Sequence, residues 1–404
     1  MNRTAPFSFP EQRVLEDAAF ARGVVPTRIF ALLLPVWSVT IQADITEAED
    51  YELIDRFLAR GIAEGGLRTT AELAAFYALE PELVDRALRA LVAIQHLVPS
   101  GDGWELTPIG LASVRDRKKY IVTREDRRML YFAAFGSQPL ARQYYDTRKI
   151  TLIPAARTDE IRSGGGPLFH VLFPTRGLDG RALEALAANP DRDRFNLPER
   201  IERPRRLGSD ELVHLPLYVV RGRTSRGGRC HLAYNQAAAE ADPDMSDLID
   251  RTPEIVTVLD AEVASVRHDD DAKRARDWPD KRGLGEHRPE RAPSGGSLRV
   301  RLPASRFGKD GLPVDRVGTF VVQGNGFFQL WCTDAAMRRR ALLARVNNIM
   351  ARWSTMDRDA IAGRVDRIAR QLELGSIDLA ELRDIARAND HGALSAQLDR
   401  VLSA

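Results

Sequence analysis

The sequence predicts an α+β protein. An N-terminal block of three helices and a two-stranded hairpin leads into a β-rich middle region and a C-terminal helical hairpin or bundle. Three observations carry this. Residues 47–115 place apolar residues at helical spacing and then two short β-type runs around a Gly-Asp-Gly turn. Residues 148–333 alternate short β-type runs with polar turns. Residues 334–404 carry two successive apolar stripes with helical period.

The chain has 404 residues. A single hydrophobic core stops growing at about 250–300 residues, so two or three domains are expected. The expected boundaries are an arm and strand over 1–46, the helical block over 47–115, a basic connecting segment over 116–147, the β-rich middle over 148–333 and the helical end over 334–404. A hydrophobic content of 44% with 29% charged residues suits a globular chain with a solvated surface. The formal net charge of +2 argues against a chain that coats nucleic acid by overall positive charge, so local patches matter more. The most apolar run, Phe30-Ala-Leu-Leu-Leu-Pro-Val-Trp-Ser-Val-Thr-Ile41, falls short of the roughly 18 residues of a membrane span. The first residues lack a signal-peptide layout. Cys230 and Cys332 make no disulfide framework, and a cytoplasmic location is expected.

Along the chain, 29–43 reads as a strand, and Pro35 argues for an edge or a bend. A helix over 47–64 presents Ile54, Phe57, Leu58 and Ile62 on one face and ends at Gly65-Gly66. Thr69 and Glu72 form a capping box for a short second helix, with Leu73 and Phe76 as its buried side. Pro81 opens a third helix, over 81–95, whose Leu83, Val84, Ala87, Leu88, Leu91 and Ile94 face a core. His96-Leu-Val98 and Trp104-Glu-Leu106 flank the hairpin turn, and Thr107-Pro108 starts another helix, to about Arg115.

Residues 116–145 read as helical in part. A hairpin pairs 213–222 with 229–234 around Thr224-Ser-Arg-Gly-Gly228, and Glu254–Val266 contains a strand. Residues 267–297, charged and rich in Gly and Pro, read as a mobile loop. Strands over Leu298–Leu302, Gly318–Val322 and Phe327–Cys332 follow, the last two joined at Gly324-Asn-Gly326. Leu342, Val346, Ile349 and Trp353, then Ile361, Val365, Ile368 and Leu372, predict an antiparallel helix pair, with shorter helices near 377–388 and 392–402.

Thr69-Thr-Ala-Glu-Leu-Ala75, Pro81-Glu-Leu-Val-Asp-Arg-Ala-Leu-Arg-Ala-Leu91 and Trp104-Glu-Leu-Thr-Pro-Ile-Gly110 resemble the winged helix-turn-helix superfamily of bacterial regulators. The resemblance implies that helix 81–95 reads a major groove and that the hairpin is a wing touching the backbone or minor groove. Outward residues would be Glu82, Asp85, Arg86 and Arg89, of which the arginines can donate to phosphate or guanine. The two acids and the Gly101-Asp102-Gly103 tip depart from a basic reading surface, which suits protein docking as well. The overall layout is also similar to WYL-domain regulators, whose middle domain senses a ligand or nucleic acid and whose C-terminal part dimerises. Tyr218-Val-Val220 and Phe328-Gln-Leu-Trp331 echo that domain, although no Trp-Tyr-Leu triplet occurs.

Two basic patches extend the expected DNA-binding set. Arg115, Arg117, Lys118, Lys119, Arg124, Arg127 and Arg128 fall in one segment that follows the hairpin and its helix. Arg338, Arg339 and Arg340 precede Arg345 and Arg352, and 338, 345 and 352 share one helix face. Arg203, Arg205 and Arg206 sit beside acids, and Arg221, Arg223, Arg226 and Arg229 surround a turn.

No catalytic, metal or cofactor motif stands out. The histidines lack metal-site spacing, and Cys230 and His231 alternate on a strand and so face apart. His268-Asp-Asp-Asp271 falls in the expected loop, and Ser163-Gly-Gly-Gly-Pro167 lacks the Lys-Ser/Thr of a phosphate loop. Asp191, Asp193 and Glu199 are candidates for a nuclease only by number. The expected function is a transcriptional regulator that binds double-stranded DNA as a homodimer through its C-terminal helices. Its middle domain would sense a ligand or partner, with no membrane partner. The alternatives are a protein-interaction component of a DNA-maintenance or phage-defence complex, and a nuclease built from scattered residues.

Overall fold

The computed structural model of the chain describes residues 6–162, 167–198, 200–266, 268–292, 297–309, 311–350 and 357–403. The architecture is α+β, with a helical C-terminal stretch. The chain divides into two compact units, one of Met1–Pro35, Thr147–Pro174 and Val213–Ala404, the other of Val36–Asp146 and Thr175–Leu212. Of the four crossings between the units, those between residues 35 and 36 and between 212 and 213 fall inside long strands, Val25–Glu49 and Arg200–Arg223.

In the second unit, Val36–Glu49 pairs antiparallel with the strand Lys119–Ala133. Part of 116–145 was expected to be helical, and the charged run Thr123–Arg128 hides the alternation that marks a strand. Tyr120, Leu130 and Phe132 supply its buried side. Val39, Ile41, Leu130 and Phe132 pack with Leu183 and Leu186 of the helix Ala182–Ala188. The first helix starts at Leu53, not 47, because the strand holds the chain to Glu49. Helices Leu53–Ala63, Thr70–Tyr77 and Pro81–Ala93 follow, then strands Leu97–Ser100 and Gly103–Leu106, then helix Pro108–Asp116.

In the first unit, Ala31–Leu33 runs parallel to Phe169–Val171, and Tyr218–Arg223 pairs with Arg229–Tyr234 as the expected hairpin. Pro35 therefore lies between two pairings, where its missing N–H interrupts neither. The strand is not an edge, since it has neighbours on both sides. A second sheet orders Phe320–Gln323, Gly326–Trp331, Leu298–Arg301 and Glu290–Arg291, with the expected hairpin at Gly324-Asn325.

Two expectations fail here. Residues 253–265 form a helix, Pro253–Ser265, because Pro253 sits at its first turn and Ile255 and Leu259 bury one face. The β-branched run Ile255-Val-Thr-Val258 imitates a strand. In the segment expected to be a mobile loop, His268–Asp280 is a helix. Few apolar residues hold it, but Ala275 and Trp278 are buried, Trp278 packs on Phe328, and Asp271 pairs with Arg28 at 2.7 Å.

The C-terminal helices are Ala335–Met350, Arg358–Gln371, Leu379–Ala388 and Gly392–Ser403. Leu342 and Val346 of one predicted stripe meet Ile361, Val365 and Leu372 of the other in one core, joined by Leu382, Leu394 and Leu398. Those residues are thus covered within the chain. Trp353 lies outside the described residues.

Candidate nucleic-acid interface

The block from Leu53 to Asp116 is built on a small core of Leu58, Leu73, Val84, Leu88, Leu91, Leu97 and Leu106. Side-chain caps fix the starts of the second and fourth helices. The Thr69 hydroxyl accepts from the Glu72 N–H, and the Glu72 carboxylate accepts from the Thr69 N–H at 2.9 Å, the expected capping box. Thr107 caps the last helix by accepting from the Gly110 N–H at 3.2 Å. Glycine is required at 110, because a Cβ there would collide with the His96 carbonyl oxygen. Gly103 is required for the same kind of reason beside the Arg68 carbonyl, which accepts from Trp104 N–H at 2.8 Å.

His96 ties the hairpin to its neighbours. It is fully buried, and its Nε2 lies 2.6 Å from the Tyr120 carbonyl oxygen, so that nitrogen carries the proton. Tyr51 then donates its hydroxyl to Nδ1 at 3.1 Å. Burial lowers the His96 pKa. The imidazole is a satisfied neutral strut inside the unit.

The Pro81–Ala93 helix buries Val84, Leu88 and Leu91 and exposes Glu82, Arg86 and Arg89. Arg89 pairs with Asp85 at 2.5 Å, whereas Arg86 makes no ion pair among the described residues. Two acids face two arginines, so the outward face is neutral in sum. The hairpin tip adds Asp102 and no cation.

The basic segment is spread over different tasks. Arg115 pairs with Asp116 at 2.9 Å, Lys119 with Asp55 at 3.7 Å, and Arg128 with both Asp126 and Glu47. Arg117, Lys118, Arg124 and Arg127 are exposed and make no ion pair among the described residues. Arg117 occupies the left-handed cap position that ends the helix.

Arg124 alone of this segment reaches the end of the third helix. It lines a cleft of about 1260 Å³ together with Gln95, Val98, Ile109 and Val122. Arg203 and Arg205 also line it, with Asp44, Glu125 and Glu202, so three cations face three anions. Arg203 pairs with Asp44 at 2.7 Å. A bulge opens the strand pair between Ala43 and Ile45, where Glu125 adopts φ 52° and its N–H donates to the Asp44 carboxylate at 2.9 Å. Nothing local in the sequence marks this cleft, because its wall residues are distributed over six separate elements.

Exposed apolar side chains form a second feature that sequence reading assigned to the core. Phe76 is 67% exposed and Leu53 69%, with Phe57 also exposed. The helical period predicts buried faces for Phe57 and Phe76. The Tyr77 ring lies between them, 6.0 Å from Phe57 and 4.9 Å from Phe76, and its hydroxyl donates to the Phe57 carbonyl at 2.7 Å.

The second basic patch does not form one solvated face. Arg338 donates to the Leu372 and Glu373 carbonyls at 2.9 and 3.1 Å, and Arg345 donates to the Asp315 and Val317 carbonyls. Guanidinium reach and fork geometry turn both inward onto backbone acceptors. Arg339 is exposed, and Arg352 lies outside the described residues. At the other basic turn, Arg221 and Arg229 share Asp260 at 3.0 and 2.7 Å.

No group of three or more His, Cys, Asp or Glu suited to a metal occurs among the described residues. Asp191 and Asp193 are exposed on a 3₁₀ turn, and Glu199 and residues 163–166 lie outside the described residues. Cys230 and Cys332 are thiols. Among the described residues no helix is long and apolar enough to cross a membrane. Compared with known protein families, curated proteins and solved structures, the chain matches none.

Proposed function

We propose that the Leu53–Asp116 block is a winged helix-turn-helix module that binds duplex DNA, with helix Pro81–Ala93 in the major groove. One observation supports this best. The third helix rests on its apolar side and presents Arg86 and Arg89 outward, directly before a two-stranded hairpin. Arginine forks suit phosphate oxygens and guanine edges. The charge inventory makes this a sparing contact, in which Glu82 and Asp85 oppose phosphate and favour base edges that donate. Such a module needs duplication for useful affinity, so the chain reads as a transcriptional regulator acting in pairs on a palindromic site.

The test is equilibrium binding of duplex DNA to the full chain across a salt series. Each phosphate contact contributes about −0.9 to the slope of log affinity against log salt. Arg86→Ala with Arg89→Ala is expected to weaken binding at least tenfold and to flatten the slope by about 1–2. Unchanged affinity and slope in the double variant would remove the helix from the reading role.

A second reading, a docking module for a protein partner, is favoured by exposed Leu53, Phe57 and Phe76 on the first two helices. It expects DNA binding to be absent in wild type as well as in the variant.

A further inference from the structure

A cavity of about 450 Å³ in the first unit is lined from the helix Glu11–Glu16, the end of helix His268–Asp280, the turn Val314–Arg316 and the outer strand Phe320–Gln323. Trp278, Leu312 and Val321 give it apolar wall, and Glu11, Arg282 and Arg316 bring charge to it. A smaller cavity beside helix Ala335–Met350 shares Arg316 and is lined also by Arg345.

The three charged groups do not satisfy one another. Among the described residues, Glu11 makes no ion pair with either arginine, and its carboxyl has no hydrogen-bond partner. Each guanidinium is held by neutral groups instead. Arg282 stands at the exposed rim, 4.3 Å from the centroid of the Trp278 ring, and its Nη1 donates to the Trp278 carbonyl at 3.4 Å. Arg316 is partly buried, and its Nη1 donates to the Gln12 amide oxygen at 2.8 Å. A guanidinium carries several N–H donors in a fixed fork, so both arginines are positioned and keep donors to spare. Gln12 follows Glu11 in the chain, which sets the Arg316 fork and the carboxyl at neighbouring places on the wall. Burial pushes the Glu11 carboxyl up to about 7, and its charge in turn raises the Tyr218 pKa. Such a carboxyl ionises once a cation comes beside it.

We infer that this cavity binds an α-amino acid with an apolar side chain. The ammonium would pair with Glu11, the carboxylate with the free donors of Arg316 and Arg282, and the side chain would lie against Leu312 and Val321. Neither charge alone answers the site. A simple carboxylate leaves Glu11 unmet, and a simple amine brings a third cation beside two guanidiniums. The volume falls in the range of about 300–1,000 Å³ in which small ligands are held. The inference is independent of whether the Leu53–Asp116 block binds DNA.

The experiment is isothermal titration of the full chain with L-leucine and L-phenylalanine, then with isocaproate and isopentylamine, which are leucine without its ammonium and without its carboxylate. Wild type is expected to bind at least one of the two amino acids saturably, one per chain, and at least about tenfold more tightly than isocaproate or isopentylamine. Glu11→Gln is expected to weaken the amino acid at least about tenfold and to leave isocaproate unchanged, whereas Arg316→Gln weakens both. Titration at pH 6.5 in buffers of different ionisation heat should show release of a fraction of a proton on binding, because the ligand ammonium lowers the Glu11 pKa. That release should vanish in Glu11→Gln. The comparison of ligands and the proton release are both read on wild type, so they hold if a variant folds poorly. Absence of saturable binding of either amino acid at millimolar concentration would overturn the inference. So would isocaproate binding as tightly as leucine, or amino-acid binding without proton release.

Discussion

The outward face of helix Pro81–Ala93 and the cavity beside helix Ala335–Met350 both carry arginine, and they treat it in opposite ways. On the helix, Arg86 and Arg89 stand in water opposite Glu82 and Asp85, and one pair is closed. In the cavity, Arg345 and Arg316 donate to neutral oxygens rather than to carboxylates. Exposed charges are screened within about 10 Å at 0.1 M salt, so the helix arginines act singly. Partly buried charges are screened far less and act together. Charge pairing and solvent access, more than the number of arginines in a segment, decide what each guanidinium is free to do.

The largest effect is expected from Leu88→Ala. Leu88 is fully buried under the helix face, and truncation should cost about 2–5 kcal/mol in urea unfolding. DNA binding should fall with it while amide protection in Ala335–Met350 and Arg358–Gln371 is retained. Loss of protection there as well would show that the block does not unfold by itself.

The Glu11 carboxyl and the His96 imidazole should make local stability respond to pH in opposite directions. In the unit that carries the helix, the His96 pKa lies below its ordinary 6.5, so the unfolded chain takes up the proton more readily. Stability there is complete above about pH 6.5 and declines as pH falls through that value and then through the folded one. In the unit that carries the cavity, burial pushes the Glu11 carboxyl up to about 7 from 4.5. Its contribution is complete below pH 4.5 and is lost as pH rises through about 7. Amide exchange at pH 5.5 and 8, corrected for the intrinsic rate, should show Glu11–Glu16 better protected at the lower pH and the hairpin Leu97–Leu106, beside His96, at the higher. The same direction at both places would contradict this.

The smallest effect is expected from Thr69→Ala, which removes one side of the capping box. A loss of about 1 kcal/mol in urea unfolding is expected. A loss above about 3 kcal/mol would mean that Thr69 holds more than its helix start.

Much of the helical block was legible because its signals are local. Thr69 with Glu72, Pro81, the turn at Gly101-Asp102 and Thr107-Pro108 each specify a boundary within a few residues. The hairpins at 224–228 and 324–325 were legible for the same reason. What stayed hidden depends on distant partners. The strand Lys119–Ala133 is a strand because Val36–Glu49 lies beside it, and its charged centre conceals the alternation. Helix His268–Asp280 depends on Ala275 and Trp278 finding Phe328 and Val300 far along the chain. Arg345 reads as a solvated cation by its spacing from Arg338, yet carbonyls at 315 and 317 turn it inward. Phe57 and Phe76 fit an apolar period, but the core is filled by Leu58 and Leu73.

Amide hydrogen exchange of the full chain with and without a saturating DNA duplex tests the role of the third helix most directly. Slowed exchange is predicted across 81–93 and 97–106, lost in the Arg86→Ala, Arg89→Ala variant. Protection confined to 53–77, or none anywhere in 53–116, would contradict the account.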